Sequence, residues 1–224
     1  MDVDYFTDAI RYTQVRVLEI AEQQSALGPA ARAHGDVLVR SQVVGFKKIK
    51  FFTNENVGAG KLELPENEMH TTAYWITLAR PLVESLPFTI SERQSGMFGL
   101  LHALESVATL LLMCDRRDLA TAIGERPAPI GPAAAAPGLE AMAPEEAVNQ
   151  EFFEPNLYLY DAYPGGIGFS EPLYGVHDLL VRKTRELIAA CPCEKGCPSC
   201  VGPVGEKAER AKQAALAILD RLCE

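Results

Sequence analysis

Four cysteines in ten residues, Cys191-Pro-Cys193-Glu-Lys-Gly-Cys197-Pro-Ser-Cys200, constrain this 224-residue chain more than any other feature. Thiolates at this spacing can converge on one ion, with four sulfurs reaching Zn²⁺ at ~2.3 Å in a tetrahedron. Gly196 relieves the turn between the two pairs, and Pro192 and Pro198 stiffen it. The set leaves no open coordination position, so the pattern points to one structural zinc ion. An iron–sulfur cluster can use the same ligands, although it more often draws them from distant segments. A redox pair at Cys197 and Cys200 is a weaker reading, because no strand leads into that CxxC. Cys114 and Cys223 fall among leucines in helical patterns and read as small core residues.

Crowded cysteines differ from the spread framework of a disulfide-stapled secreted domain and suit a reducing, cytoplasmic compartment. The N-terminus carries acid where a secretory signal carries base, and no apolar run approaches the ~20 residues of a bilayer span. Neither export nor a membrane partner is expected. The formal net charge of −9 disfavours a free-standing nucleic-acid binder. Charge is nevertheless segregated. Residues 40–61 hold five basic side chains against one acid, whereas 140–154 hold five acids and no base.

The pattern along the chain predicts an α+β fold, with a β-rich N-terminal half followed by a helical, four-cysteine zinc-binding half. Short strands are expected at Thr13–Ile20, Asp36–Arg40, Val43–Phe46 and Lys48–Thr53, with a loop at Asn54–Gly60 and a further strand at His70–Thr77. An antiparallel meander would accommodate them. Ser91 reads as the N-cap of a long helix carrying Leu100, Leu101, Leu104, Val107, Ala108, Leu111 and Leu112 and ending near Met113–Asp115. Asp118–Gly124 reads as a short turn. Prolines at 127, 129, 132, 137 and 144 make 125–149 a flexible Ala/Pro insertion. Beyond it come a buried strand at Asn156–Asp161, a helix with Leu179, Leu180, Leu187 and Ile188 on one side, and a last amphipathic helix from Glu206 to Leu222. The expected organisation is a β-rich subdomain over 1–79 and a zinc-binding domain over 80–224.

Two other segments carry chemistry-bearing residues. Pro164-Gly165-Gly166-Ile167-Gly168 joins strand to helix after Asp161, a context in which backbone amides can face an anion. It matches neither the Walker pattern nor GxGxxG in phase, and a tight turn needing positive φ explains the glycines more simply. Asp161 would cap the helix or orient the loop. Phe46-Lys47-Lys48-Ile49-Lys50-Phe51-Phe52 interleaves base with aromatics, and as a strand it puts Lys48 and Lys50 on one face and Lys47 on the other. Single-stranded DNA contact and lysine protection of an edge strand account for it equally well. The four histidines show no ligand spacing, and no catalytic constellation emerges.

Several segments resemble the C-terminal region of MrfA-like DEAD/DEAH-box DNA helicases. They are YDAYPGGIGFSEPLY at 160–174, CPCEKGCPSCVGP at 191–203, GFKKIKFFTNENVGAG at 45–60, LPENEMHTTAYW at 64–75 and HALESVATLLLMCDRRDL at 102–119. The resemblance implies that Cys191, Cys193, Cys197 and Cys200 are the zinc ligands of the family's terminal domain. It further implies an accessory region of an ATP-dependent helicase of 3′-to-5′ polarity, linked to DNA repair, with motor domains in the same or a partner chain. No Walker A or DEAH segment is present in these 224 residues, so ATP hydrolysis is not expected of this chain alone. The 125–149 stretch departs from the family pattern. Related domains in phage-defence proteins leave a second reading, a zinc-stabilised protein-interaction scaffold. A third is a metalloenzyme acting at the glycine loop.

Overall fold

The computed structural model describes residues 5–24, 30–51, 55–125, 154–202 and 210–223. The expected insertion lies, apart from Glu125, outside them, as do residues 206–209 of the expected last helix. Strands β1 (Tyr5–Gln24) and β2 (Ala30–Lys50) form one long antiparallel ribbon. The chain therefore runs through glycines that the sequence pattern suggests as strand boundaries. A Cβ on Gly35 would lie 2.1 Å from the Glu19 carbonyl oxygen, and one on Gly45 would lie 2.7 Å from that of Gly60. Both glycines admit close backbone approach within a continuous strand, beside the register shifts of β1.

Strand β3 (Asn56–Lys61) pairs with the far end of β2 where a loop is expected. Pairing overrides turn-like composition there, and the bare Cα of Gly60 makes room for the Phe46 ring. Strands β4 (Asn67–Leu78), β5 (Leu119–Glu125) and β6 (Pro155–Asp161) complete a sheet ordered β1-β2-β4-β6-β5, antiparallel throughout. The expected turn at Asp118–Gly124 is thus an edge strand, since Leu119 to Glu125 find a ladder on β6 that local composition does not announce. Because β6 pairs with β4, the sheet continues in space across the 79/80 division.

Period-two alternation gives the sheet two buried faces. Tyr74, Ile76, Leu78, Leu157 and Leu159 face the helices. Ala33, Val37, Val39, Trp75, Tyr158 and Tyr160 form a second cluster, against which Val15 and Val17 of β1 pack. The register shifts in β1, at Ile10/Arg11, Val17/Glu19 and Ile20/Glu22, are the kind of irregularity that twists a long ribbon strongly.

Helix α1 (Arg80–Ser85) leads into α2 (Ile90–Leu112), which buries Met97, Leu100, Leu101, Leu104, Val107 and Ala108. Full burial of each leucine stabilises the fold by ~2 kcal/mol. The N-cap is Thr89, not Ser91. Thr89 and Glu92 form a reciprocal capping box, which adds a carboxylate at the positive end of the helix dipole. Length and apolarity would let α2 cross a membrane, yet half of that window is buried in this fold and α2 serves as its central helix. Helices α3 (Ser170–Gly175), α4 (His177–Ala190) and α5 (Ala211–Leu222) complete the helical layer. In α4 the buried residues are Leu180, Val181, Thr184 and Ile188, while Leu187 is exposed. Cys223 is exposed at the end of α5, whereas Cys114 is half-buried against the core. A Cβ on Gly96 would meet the Ala214 Cβ at 2.5 Å, so α2 and α5 cross in near backbone contact.

Where β4 meets α4, the hydroxyl of fully buried Tyr74 bonds His177 Nδ1 at 2.5 Å. Burial, with Arg32 nearby, holds His177 down at about 4. Its folded-state value lies below the unfolded ~6.5, so the unfolded chain binds the extra proton between those values. The contribution is complete above pH ~6.5 and is lost as pH falls towards 4, at about 2 kcal/mol after allowance for partial exposure. Chemical denaturation at pH 7 and pH 4.5 should show that loss in the native sequence and about half or less of it in His177→Gln.

Candidate metal centre

The segment that follows α4 begins with Cys191, its C-cap, in extended conformation. Gly196 then takes φ 123° and Gly202 takes φ 76°, positions that favour glycine. The amides of Cys200 and Val201 both donate to the Cys197 carbonyl, closing a turn that brings two sulfurs to one side. The result is convergence. Cys191 and Cys197 Sγ lie 3.6 Å apart, Cys193 and Cys200 3.5 Å, and Cys197 and Cys200 3.6 Å. All four sulfurs fall within 4.8 Å of one another.

These distances fit the ion well. A tetrahedron with ~2.3 Å zinc–sulfur arms has edges of ~3.8 Å, whereas a disulfide needs ~2.05 Å. The cluster is a closed four-sulfur cage able to hold one zinc ion. The thiols are not equivalent. The Ser199 amide donating to Cys197 Sγ, with the Cys191 and Cys200 thiols beside it, holds Cys197 down at about 6. Burial pushes Cys200 up to about 12. Four thiolates this close repel one another, and a divalent cation at their centre supplies the balancing charge and displaces the protons.

Two helices hold the cage. From α2, the His102 ring bridges the cage to Arg116, with Nε2 3.0 Å from the Pro198 carbonyl oxygen and Nδ1 3.2 Å from the Arg116 guanidinium. Gly99 lets Val201 approach, since a Cβ there would lie 2.8 Å from the valine Cβ. From α5, Lys212 Nζ donates to the carbonyls of Cys191 and Cys193, both at 2.6 Å, and Gln213 Nε2 donates to the main-chain carbonyl of Glu194 at 3.1 Å. Sequence reasoning missed His102, Lys212 and Gln213. Their spacing from the cysteines is arbitrary, and Lys212 looks like any polar position on an amphipathic helix.

The glycine loop and Asp161 meet as neighbours. Asp161, 1% exposed, accepts the amides of Ile167 at 2.6 Å, Gly168 at 2.8 Å and Phe169 at 3.4 Å on Oδ2, together with the Thr72 hydroxyl at 3.0 Å. Gly165, Gly166 and Gly168 adopt φ of 83°, 71° and 90°, and a Cβ on Gly166 would strike Thr72 Oγ1 at 2.7 Å. The three amides point inward to a carboxylate and are not offered to an external anion. Gly165 N–H is bonded to the His70 carbonyl at 2.7 Å.

Lys47, Lys48 and Lys50 sit at the far end of the ribbon, remote from the cage in sequence and element. Opposite residues of an antiparallel pair share a face. Lys48 and Lys50 therefore share theirs with Thr7 and Tyr5, and Lys48 Nζ lies 5.1 Å from the Tyr5 ring centre. Lys47 faces the other way, opposite Asp8. Phe6 and Phe51 pack there with ring centres 5.5 Å apart.

A curled antiparallel sheet backed by helices, with a cage of four thiols braced by two of them, defines a zinc-binding α+β region. Residues 100–201 match the family model of the MrfA Zn-binding domain, and the chain carries an MrfA-like zinc-binding region. Among curated proteins it is 33% identical over 224 residues to the ATP-dependent helicase YprA of Bacillus subtilis (strain 168), covering 99% of this chain and 26% of the helicase. Among solved structures it is similar to the DUF1998 helicase MrfA bound to DNA, with a TM-score of 0.64, 31% identity, and coverage of 99% of this chain and 26% of that one. It also resembles MrfA bound to DNA and AMPPNP, with a TM-score of 0.51, 30% identity, and coverage of 98% and 23%. The chain thus spans about a quarter of the length of these helicases.

Proposed function

We propose that this chain is the C-terminal zinc-binding accessory region of an ATP-dependent DNA helicase of 3′-to-5′ polarity that acts in DNA repair in the cytoplasm. The observation that carries the reading is one-third identity over nearly the whole chain to a helicase, joined to structural similarity to MrfA bound to DNA. In this reading Cys191, Cys193, Cys197 and Cys200 hold a structural zinc ion and take no part in chemistry. Zinc supplies folding free energy to the end of the chain. ATP is hydrolysed by motor domains in the same or a partner chain, on which this region docks. Asp161 and the glycines after it build the turn that connects sheet to helices.

Lys48 and Lys50, beside Tyr5, contact the phosphates of single-stranded DNA, with Lys47 contributing from the opposite face. Each phosphate contact should add ~0.7 to the slope of log affinity against log salt. Fluorescence anisotropy with a labelled oligonucleotide tests this assignment. The Lys48→Gln/Lys50→Gln variant should bind about tenfold more weakly at low salt and lose ~1.4 from the slope. Equal affinity and slope in the two proteins would refute the lysine assignment. Failure of the native chain to bind single strands at low salt would remove DNA contact altogether.

A further inference from the structure

Among the described residues, Lys212 is the one lysine or arginine that is buried. It lies on the inner side of α5 and is only 8% exposed. Lysine is almost never buried unless paired. Among the described residues no carboxylate lies within ion-pair distance of it. Its hydrogen bonds go to the two main-chain carbonyls of Cys191 and Cys193, and both of those residues also contribute a sulfur to the cage. Two neutral carbonyls compensate poorly for a buried ammonium.

The two carbonyls belong to residues whose sulfurs form half of the cage. Four neutral thiols carry no charge, whereas four thiolates around Zn²⁺ carry a net −2. We propose that Lys212 is a positioning residue of the metal centre, its buried ammonium offsetting the negative charge of the zinc-bound thiolates and locking α5 onto the cage. The proposal rests on the zinc reading of the cluster. It makes docking of α5 and retention of the metal two sides of one equilibrium. Binding the ion makes burial of Lys212 favourable, and burial of Lys212 slows release of the ion. Outer partners of metal ligands act in this way, and their loss commonly costs 10–100-fold in affinity.

Gln213 provides the internal control, because it makes a neutral contact from the same helix to Glu194 in the same segment. Zinc release from the full chain into a chromophoric chelator should be about tenfold faster in Lys212→Gln and Lys212→Met. In Lys212→Arg it should stay within about twofold of the native rate, and in Gln213→Ala, which loses one neutral contact to the cage segment, it should rise by clearly less than in Lys212→Gln. In the cobalt-substituted protein, the thiolate-to-metal charge-transfer band should move to longer wavelength in Lys212→Gln and stay in place in Gln213→Ala, a change that loss of helix packing does not produce. If Lys212→Met fails to fold, the Gln and Arg variants decide the matter. Native release rate and native band in Lys212→Gln would overturn the proposal. A native chain without bound metal would instead overturn the zinc reading beneath it.

Discussion

Substituting Cys200 by serine is expected to abolish stoichiometric zinc binding and to lower the melting temperature by about 8–16 °C, equivalent to ~4 kcal/mol in a chain of this size. Cys200 is 1% exposed and supplies one of four mutually close sulfurs. A serine oxygen is shorter and harder than a thiolate, so the three remaining sulfurs no longer close a tetrahedron. The consequence extends past the cage. Val201 packs on Gly99 of α2, and the carbonyls held by Lys212 tie the segment to α5. Chelating zinc from the native protein should produce a similar drop in melting temperature. Chelator added to Cys200→Ser should have no further effect, because both perturbations remove the same ion. Melting curves with and without chelator test this directly. A native protein whose melting temperature is indifferent to chelator would refute a stabilising metal.

The second large effect is expected at Asp161. Replacement by alanine removes a charged acceptor from three amides and the Thr72 hydroxyl in one step. Hydrogen bonds to a charged group are each worth ~1.5–3 kcal/mol, but four sharing one oxygen are not additive. A net loss of ~3–5 kcal/mol is the expectation, lowering the melting temperature by about 6–20 °C. Asparagine keeps one oxygen and should cost about half as much. Limited proteolysis should show new cutting between Tyr163 and Phe169 in the alanine variant, with the zinc content unchanged. An alanine variant within ~1 kcal/mol of the native protein would mean that the glycine loop holds its shape without the carboxylate.

The metal cage was legible in the sequence because its ligands are local. Ten residues with two prolines and one glycine leave few ways to arrange four sulfurs. The α2 pattern was legible for a similar reason, since its leucines recur at helical spacing through Leu112. Elements whose existence depends on a distant partner were harder to read. Gly35 and Gly45 look like strand ends until β1 and β3 are seen to need close approach there. Leu119 to Glu125 has no strong strand pattern, and its ladder comes from β6 across the long intervening segment. Thr89 and Ser91 both begin a capping pattern, Thr89-x-x-Glu92 and Ser91-x-x-Gln94. The charged partner distinguishes the one that forms. His102 and Lys212 were invisible as parts of the site. Nothing in a one-dimensional spacing says that two helices, one on each side of the cysteines in sequence, close on the same turn.

One zinc ion is expected to hold the cage of four sulfurs. Native mass spectrometry of the purified chain, paired with elemental analysis, measures it most directly. A folded species carrying one zinc ion per chain is expected, and it becomes metal-free on acidification as protons compete for the four thiolates. A well-folded species with no metal, or one whose metal is iron with the visible absorption of an iron–sulfur cluster, would contradict it.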